Sequence, residues 1–145
     1  MEEICLYLCA ATFEDNAMPW GLLLSDDLLF ASRIAGQAQA LALSLKSART
    51  LDRFFDLAHR EMPSCAILDL SFPGLDLASL FQRLSETTTT MPRVVAYGSH
   101  VDVERLRSAR AAGCDPVLPR SKFIDDLPHS LPIWISDEEQ RSIRE

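Results

Sequence analysis

Residues 65–76 read CAILDLSFPGLD, and this stretch decides the architecture of the chain. The four apolar residues 65–68 form a continuous run, which is typical of a strand buried on both faces of a parallel sheet. Asp69 follows the run directly, and a Pro-Gly pair then marks a turn before Asp76. We therefore predict a buried strand that ends at Asp69, a loop, and a helix that begins near Asp76.

Similar apolar runs recur on both sides of this stretch. They lie at residues 22–24, 41–45, 94–97 and 116–118, of which the second and the last are weaker. Between the runs the apolar spacing lengthens to the period of a helix, and the clearest stripe consists of Leu51, Phe54, Phe55, Ala58 and Met62. Alternating strands and helices predict an α/β fold, with a doubly wound, five-stranded parallel sheet and helices on both faces.

Helix boundaries and domain limits follow from polar residues and from length. Thr50, Asp76 and His100 stand near helix starts, Gly113 marks a helix end, and a short helix is expected around residues 123–127. A chain of 145 residues is near the size of one domain. We predict a domain over 20–131, an N-terminal extension over 1–19 and a C-terminal tail over 132–145. Two apolar pieces are left open: residues 4–7 as an edge strand, and residues 134–135 as a segment that docks on the domain or on a partner.

Composition limits the classes of function. The net charge of −7 opposes nonspecific binding to nucleic acid or to an anionic membrane, so neither is an expected partner. No run approaches the roughly 18 apolar residues of a membrane span, and acidic residues precede the apolar start, so we expect a cytoplasmic protein. The four cysteines contain no Cys-x-x-Cys motif and are expected to be reduced thiols, which are Cys5, Cys9, Cys65 and Cys114.

Three acidic side chains follow the predicted strands. Asp26 and Asp27 come directly after the first strong run, and Asp69 ends the third strand. The carboxyl ends of parallel strands meet at one edge of a sheet, so these carboxylates are expected to share a pocket. Three carboxylates that lie close together repel one another unless they keep protons or bind a cation. Mg²⁺ prefers oxygen ligands of this kind. Helix capping is the alternative for Asp26 or Asp27 taken alone, since an aspartate before a helix often caps it.

The chain resembles the receiver domain of two-component response regulators. The resemblance runs from about residue 20 to 131 and rests on three stretches: LLLSDD at 22–27, ILDLSFPGLD at 67–76 and AAGCD at 111–115. It implies a CheY-like (flavodoxin-like) sheet of order 2-1-3-4-5. It also implies that Asp69 accepts phosphate from a histidine kinase. Mg²⁺ would then be held by Asp69, Asp27, Asp26 through water, and the backbone carbonyl of Ser71.

The residues that switch such domains differ here. Tyr97 stands where the family has a Ser or Thr at the end of the fourth strand, and Ser99 is the nearest substitute hydroxyl. Arg120 stands in place of the family's Lys on the fifth strand. Its guanidinium is suited to bind a phosphate, or Asp69 itself, through two hydrogen bonds. Lys122 is an alternative cation. Val117 stands in place of the family's aromatic switch residue. The rotamer change that reports phosphorylation in the family therefore lacks its side chain here.

These features leave two readings of function. The first is a stand-alone divergent receiver that signals through protein contacts, with Asp69 as phosphoacceptor and with a kinase or phosphotransfer protein as partner. The second is a pseudo-receiver that is independent of phosphorylation because Arg120 holds Asp69 in one state. In either case the fourth helix, fifth strand and fifth helix are expected to meet a downstream protein or a second copy. We expect no enzymatic activity, because a Mg²⁺-dependent phosphohydrolase would want an acid where Ser71 stands.

Overall fold

The structure is a computed structural model that describes residues 18–136. The predictions for the edge strand at 4–7, for Cys5 and Cys9, and for the tail after residue 136 lie outside the described residues. No helix between residues 18 and 136 is long and apolar enough to cross a membrane.

Five strands form one parallel sheet. They are β1 (Trp20–Leu24), β2 (Ser44–Ala48), β3 (Cys65–Asp69), β4 (Arg93–Gly98) and β5 (Val117–Pro119). Their order in the sheet is β2-β1-β3-β4-β5, and every neighbouring pair is parallel. The three strong apolar runs, at 22–24, 65–68 and 94–97, lie in the central strands β1, β3 and β4. Nearly every residue of these strands is buried. The predicted fold and strand order are confirmed.

Five helices cover the two faces of the sheet. They are α1 (Leu28–Ala40), α2 (Leu51–Glu61), α3 (Leu77–Thr87), α4 (Val103–Ala112) and α5 (Arg120–Ser136). The apolar stripes of α2, α3 and α4 pack on one face, and those of α1 and α5 pack on the other. The strands alternate their side chains between these two cores, as the period of a strand requires.

The helix starts follow the polar residues of the sequence in most cases. Thr50 and Asp76 cap α2 and α3, each accepting a hydrogen bond from the third residue after it. The α4 start predicted near His100 lies slightly later, because the carboxylate of Asp102 provides that cap. Gly113 ends α4 with φ of +120°, a conformation that favours glycine.

Two boundaries differ from the sequence prediction. Strand β2 lies three residues later than the run at 41–45, because this edge strand is mostly polar and exposed and Leu41 ends α1. Helix α5 is long and continues to Ser136, although it contains Pro128 and Pro132. Its end is buried against the domain, which answers the open question about residues 134–135.

The two described cysteines are buried free thiols, as predicted. Cys65 lies in the core beneath α1 and α5, and Cys114 packs on the opposite core. Burial raises the pKa of the Cys65 thiol to about 12 and that of Cys114 to about 11. Both side chains are therefore protonated near neutral pH.

Candidate functional site

Asp69 is the centre of the site and is almost completely buried, with a relative exposure of 1%. It is the last residue of β3. Its Oδ2 accepts a hydrogen bond from the Ser25 hydroxyl at 3.0 Å, and its Oδ1 accepts one from the backbone N–H of Ser71 at 2.9 Å. Both carboxylate oxygens therefore have a donor within the protein.

Ser25 is a site residue that the sequence reasoning missed. It follows β1 directly and is buried, and its backbone N–H donates to Ala48 in β2. Its hydroxyl oxygen also accepts the backbone N–H of Asp27 at 3.1 Å, so one side chain ties the β1–α1 turn to Asp69. The sequence did offer an indication of this role, because Ser25 stands between the buried run at 22–24 and the aspartates at 26–27.

Asp26 and Asp27, the two aspartates that follow β1, have different surroundings. Asp27 caps α1, and its Oδ1 accepts the backbone N–H of Phe30 at 3.1 Å, so the capping alternative holds for this residue. Asp26 is exposed in the turn. Within residues 18–136 no three His, Cys, Asp or Glu side chains come together in a way that could hold a metal ion. The shared pocket of Asp26, Asp27 and Asp69 stays a prediction.

The contacts of Asp27, Asp69 and Ser71 leave oxygen lone pairs unused. Oδ1 of Asp27 accepts the cap N–H, and each carboxylate oxygen of Asp69 accepts one hydrogen bond. A carboxylate oxygen has two lone pairs, and the N–H of Ser71 that binds Asp69 leaves the Ser71 carbonyl available. The Mg²⁺ site of Asp26, Asp27, Asp69 and the Ser71 carbonyl therefore stays a prediction.

Arg120 faces Asp69, as the sequence suggested. Its Nη2 lies 3.7 Å from Oδ1 of Asp69, an ion-pair distance that is too long for a hydrogen bond. Its guanidinium also lies 5.0 Å from the centre of the Phe30 ring and 5.9 Å from that of Tyr97, which are cation–π distances. The Nε of Arg120 is buried and has no hydrogen-bond partner within the described part of the chain.

Tyr97 fills the place of the missing Ser or Thr with an aromatic ring. It lies opposite Asp69 in the β3–β4 ladder and is fully buried. Its ring centre is 5.0 Å from that of Phe30 and 4.6 Å from that of Phe123. Burial, and secondly the charge of Asp69, raise the pKa of the Tyr97 hydroxyl above its ordinary value. Its Oη has no hydrogen-bond partner among residues 18–136, so Tyr97 is a protonated core side chain.

The alternative switching residues Ser99 and Lys122 have contacts with residues other than Asp69. The exposed Ser99 uses its hydroxyl oxygen to accept the N–H of Val101 at 3.4 Å. Lys122 pairs with Asp126 at 3.2 Å within α5 and is not the cation of the site. Val117 is buried in the sheet.

Two arginines of α4 bind backbone carbonyls of neighbouring elements. Arg105 donates to the carbonyl of Leu70, the residue after Asp69, at 2.8 Å, and Arg110 donates to the carbonyl of Val117 at 3.3 Å. Arg107, by contrast, pairs on the surface with Glu104 at 3.0 Å. Two of the three arginines therefore anchor α4.

Comparison with solved structures identifies the fold. The receiver domain of a response regulator from Bermanella marisrubri superposes with a TM-score of 0.70 at 21% identity, over 81% of this chain and 98% of that chain. A CheY-like receiver domain from Methanospirillum hungatei gives 0.69 at 14% identity, over 86% and 98%. The receiver domain of a putative Luxo repressor protein from Vibrio parahaemolyticus gives 0.70 at 17%, over 88% and 98%. The chain has the fold of response-regulator receiver domains.

Sequence comparison gives a weaker relation. No family model matches the chain. Over 75 residues it is 29% identical to the transcriptional regulatory protein TctD of Salmonella typhimurium, with the same values for the proteins of strains LT2 and SL1344. This match covers 52% of the chain and only 33% of the length of TctD.

Proposed function

We propose that the chain is a receiver-fold signalling module of the pseudo-receiver kind, which acts through protein contacts while Asp69 stays in one state. The observation that carries the proposal is the environment of Asp69. This carboxylate is buried, hydrogen-bonded on both oxygens and faced by the Arg120 guanidinium. The receiver fold of the structural neighbours and the partial similarity to a transcriptional regulator support a role in signalling.

Phosphorylation of Asp69 would require this environment to be dismantled. Ser25 and Ser71 each donate to one carboxylate oxygen, and these hydrogen bonds lower the nucleophilicity of the lone pair that remains on each oxygen. A phosphoryl group also needs small donors beside it, and Tyr97 fills that side of the pocket with a buried ring. The cation that normally balances the added charge has no matching set of carboxylates among residues 18–136.

We place the partner surface on α4, β5 and α5. This face contains an exposed apolar side chain, Val103, beside the surface ion pair of Arg107 and Glu104. The exposed Val101 continues it toward the β4–α4 connection. Apolar residues with a charged rim suit a protein partner, either a downstream protein or a second copy of the chain.

A working phosphoreceiver is the second candidate. It is favoured by the position of Asp69 at the end of β3 with Arg120 opposite, and its partner would be a histidine kinase or phosphotransfer protein. A structural neighbour from Burkholderia pseudomallei carries a phosphorylated aspartic acid and a calcium ion. In this candidate Mg²⁺ would be held by Asp69, Asp27, Asp26 through water, and the backbone carbonyl of Ser71.

The test is incubation of the purified chain with Mg²⁺ and acetyl phosphate, read by intact mass, beside the Asp69→Asn variant. A parallel titration with beryllofluoride is read by tryptophan fluorescence. We expect no added phosphate and no Mg²⁺-dependent fluorescence change in either protein. A mass gain of one phosphate that is absent from Asp69→Asn would overturn the pseudo-receiver proposal and establish the second candidate.

A further inference from the structure

A cavity of about 540 Å³ opens above Asp69 at the carboxyl ends of the strands. Its polar walls come from α1, from the two connections that follow β3 and β4, and from the start of α5. The polar lining residues are Arg33, Ser71, Ser99, His100, Arg120 and Ser121. This volume falls within the range of roughly 300–1,000 Å³ that is typical of small-molecule sites.

The charge of this cavity is opposite to that of the chain. No aspartate or glutamate among residues 18–136 lines it, although the chain as a whole has a net charge of −7. Arg33 forms no ion pair or hydrogen bond through its side chain with the described residues. The Nε of Arg120 is buried and has no hydrogen-bond partner in the same part of the chain, and Asp69 lies 3.7 Å from its Nη2. Two guanidinium groups therefore keep unused donors at one cavity.

One wall of the cavity is apolar. The ring of Phe30 lies under the guanidinium of Arg120 at 5.0 Å, and Ile124 lies one helical turn along α5. This cation–π contact restrains the guanidinium of Arg120 beside the cavity before a ligand arrives. Three serine hydroxyls add donors that also accept.

We propose that this cavity binds a small organic anion non-covalently, with a carboxylate or phosphate-type head group and a compact apolar body. Arg33 and Arg120 hold the head group, since a guanidinium binds either head group through two parallel hydrogen bonds. Phe30 and Ile124 contact the apolar body. The ligand binds as a free molecule, so the inference does not depend on the chemical state of Asp69.

The experiment titrates the ¹⁵N-labelled full chain with benzoate and with phenylphosphonate, and follows the backbone amide signals of Ser71, Ser99 and Ser121. Neither probe is able to transfer a phosphoryl group, so the outcome is independent of the phosphorylation test. Benzyl alcohol is the uncharged control. We expect saturable shifts at these amides with the two anions, and at least about fivefold weaker binding of the alcohol.

Two matched arginine variants test whether a guanidinium of the cavity binds the anion. Arg33→Gln removes an exposed, unpartnered guanidinium and is expected to weaken anion binding about fivefold. Arg107→Gln removes the same charge from α4 outside the cavity and is expected to change the Kd less than twofold. The proposal is overturned if the anions cause no saturable shifts at these amides, if benzyl alcohol binds as well as the anions, or if both variants weaken binding equally.

Discussion

The substitution Ser25→Ala tests whether the hydroxyl of Ser25 holds Asp69 in place. It removes the 3.0 Å bond to Oδ2 of Asp69 and the 3.1 Å bond from the N–H of Asp27. A hydrogen bond to a charged group contributes about 1.5–3 kcal/mol, and the second, half-buried bond about 0.5–1 kcal/mol. We therefore expect the free energy of unfolding to fall by about 2–4 kcal/mol. The melting temperature should fall by roughly 3–6 °C for each kcal/mol.

Urea denaturation followed by circular dichroism measures this loss, and a double-mutant cycle assigns it. In the Asp69→Asn background the bond from Ser25 joins neutral groups, so Ser25→Ala should cost about 1–2 kcal/mol less than in the native background. Ser32→Ala on the exposed side of α1 is the control and should change the free energy by less than about 0.5 kcal/mol. Equal costs of Ser25→Ala in both backgrounds would refute the reasoning.

Three further outcomes are expected. Thr50→Ala removes the cap that accepts the N–H of Arg53 at 3.1 Å and should lower the free energy of unfolding by about 1 kcal/mol; an unchanged urea midpoint would contradict this. Trp134→Ala removes a buried ring stacked 5.6 Å from that of Phe123 and should cost about 3–5 kcal/mol by the same measurement, whereas a cost below about 1 kcal/mol would mean that the end of α5 is not docked. Cys65, whose pKa is raised to about 12 by burial, should resist iodoacetamide at pH 8.5 until urea unfolds the chain, as read by peptide mass. The thiol of the unfolded chain has its ordinary pKa of 9.0, so the contribution of Cys65 to stability is complete below pH 9.0 and is lost as the pH rises toward 12.

The sheet was predictable because its central strands are buried on both faces. Such strands carry continuous apolar runs that are easily recognised, and β1, β3 and β4 lie where those runs lie. The edge strand β2 was displaced in the prediction because one of its faces is solvated and its apolar residues are interrupted. The length of α5 was missed because two prolines usually predict a helix end.

The site was predictable only in part, because a sequence gives the position of a carboxylate and not its hydrogen bonds. Asp69 and Arg120 face each other because both lie at the carboxyl edge of the sheet, at the ends of β3 and β5, which flank β4. Asp27 was placed after the correct strand, yet its carboxylate serves the first turn of α1. That choice depends on the residue at which the helix begins, and helix boundaries are the part of a fold that a sequence pattern predicts least well.

The end of α5 has a practical consequence for experiments on immobilised protein. Gly21 and Ile135 approach so closely that a Cβ on Gly21 would meet Cδ1 of Ile135 at 3.0 Å, and the carbonyl of Ile135 accepts the Ser64 hydroxyl at 2.7 Å. These contacts fasten the last turn beside the first residues of β1 and β3. A tether joined to the chain beyond this turn starts on the side away from the cavity. A sensor chip coated through a C-terminal tether would leave the mouth of the cavity turned toward the flowing sample.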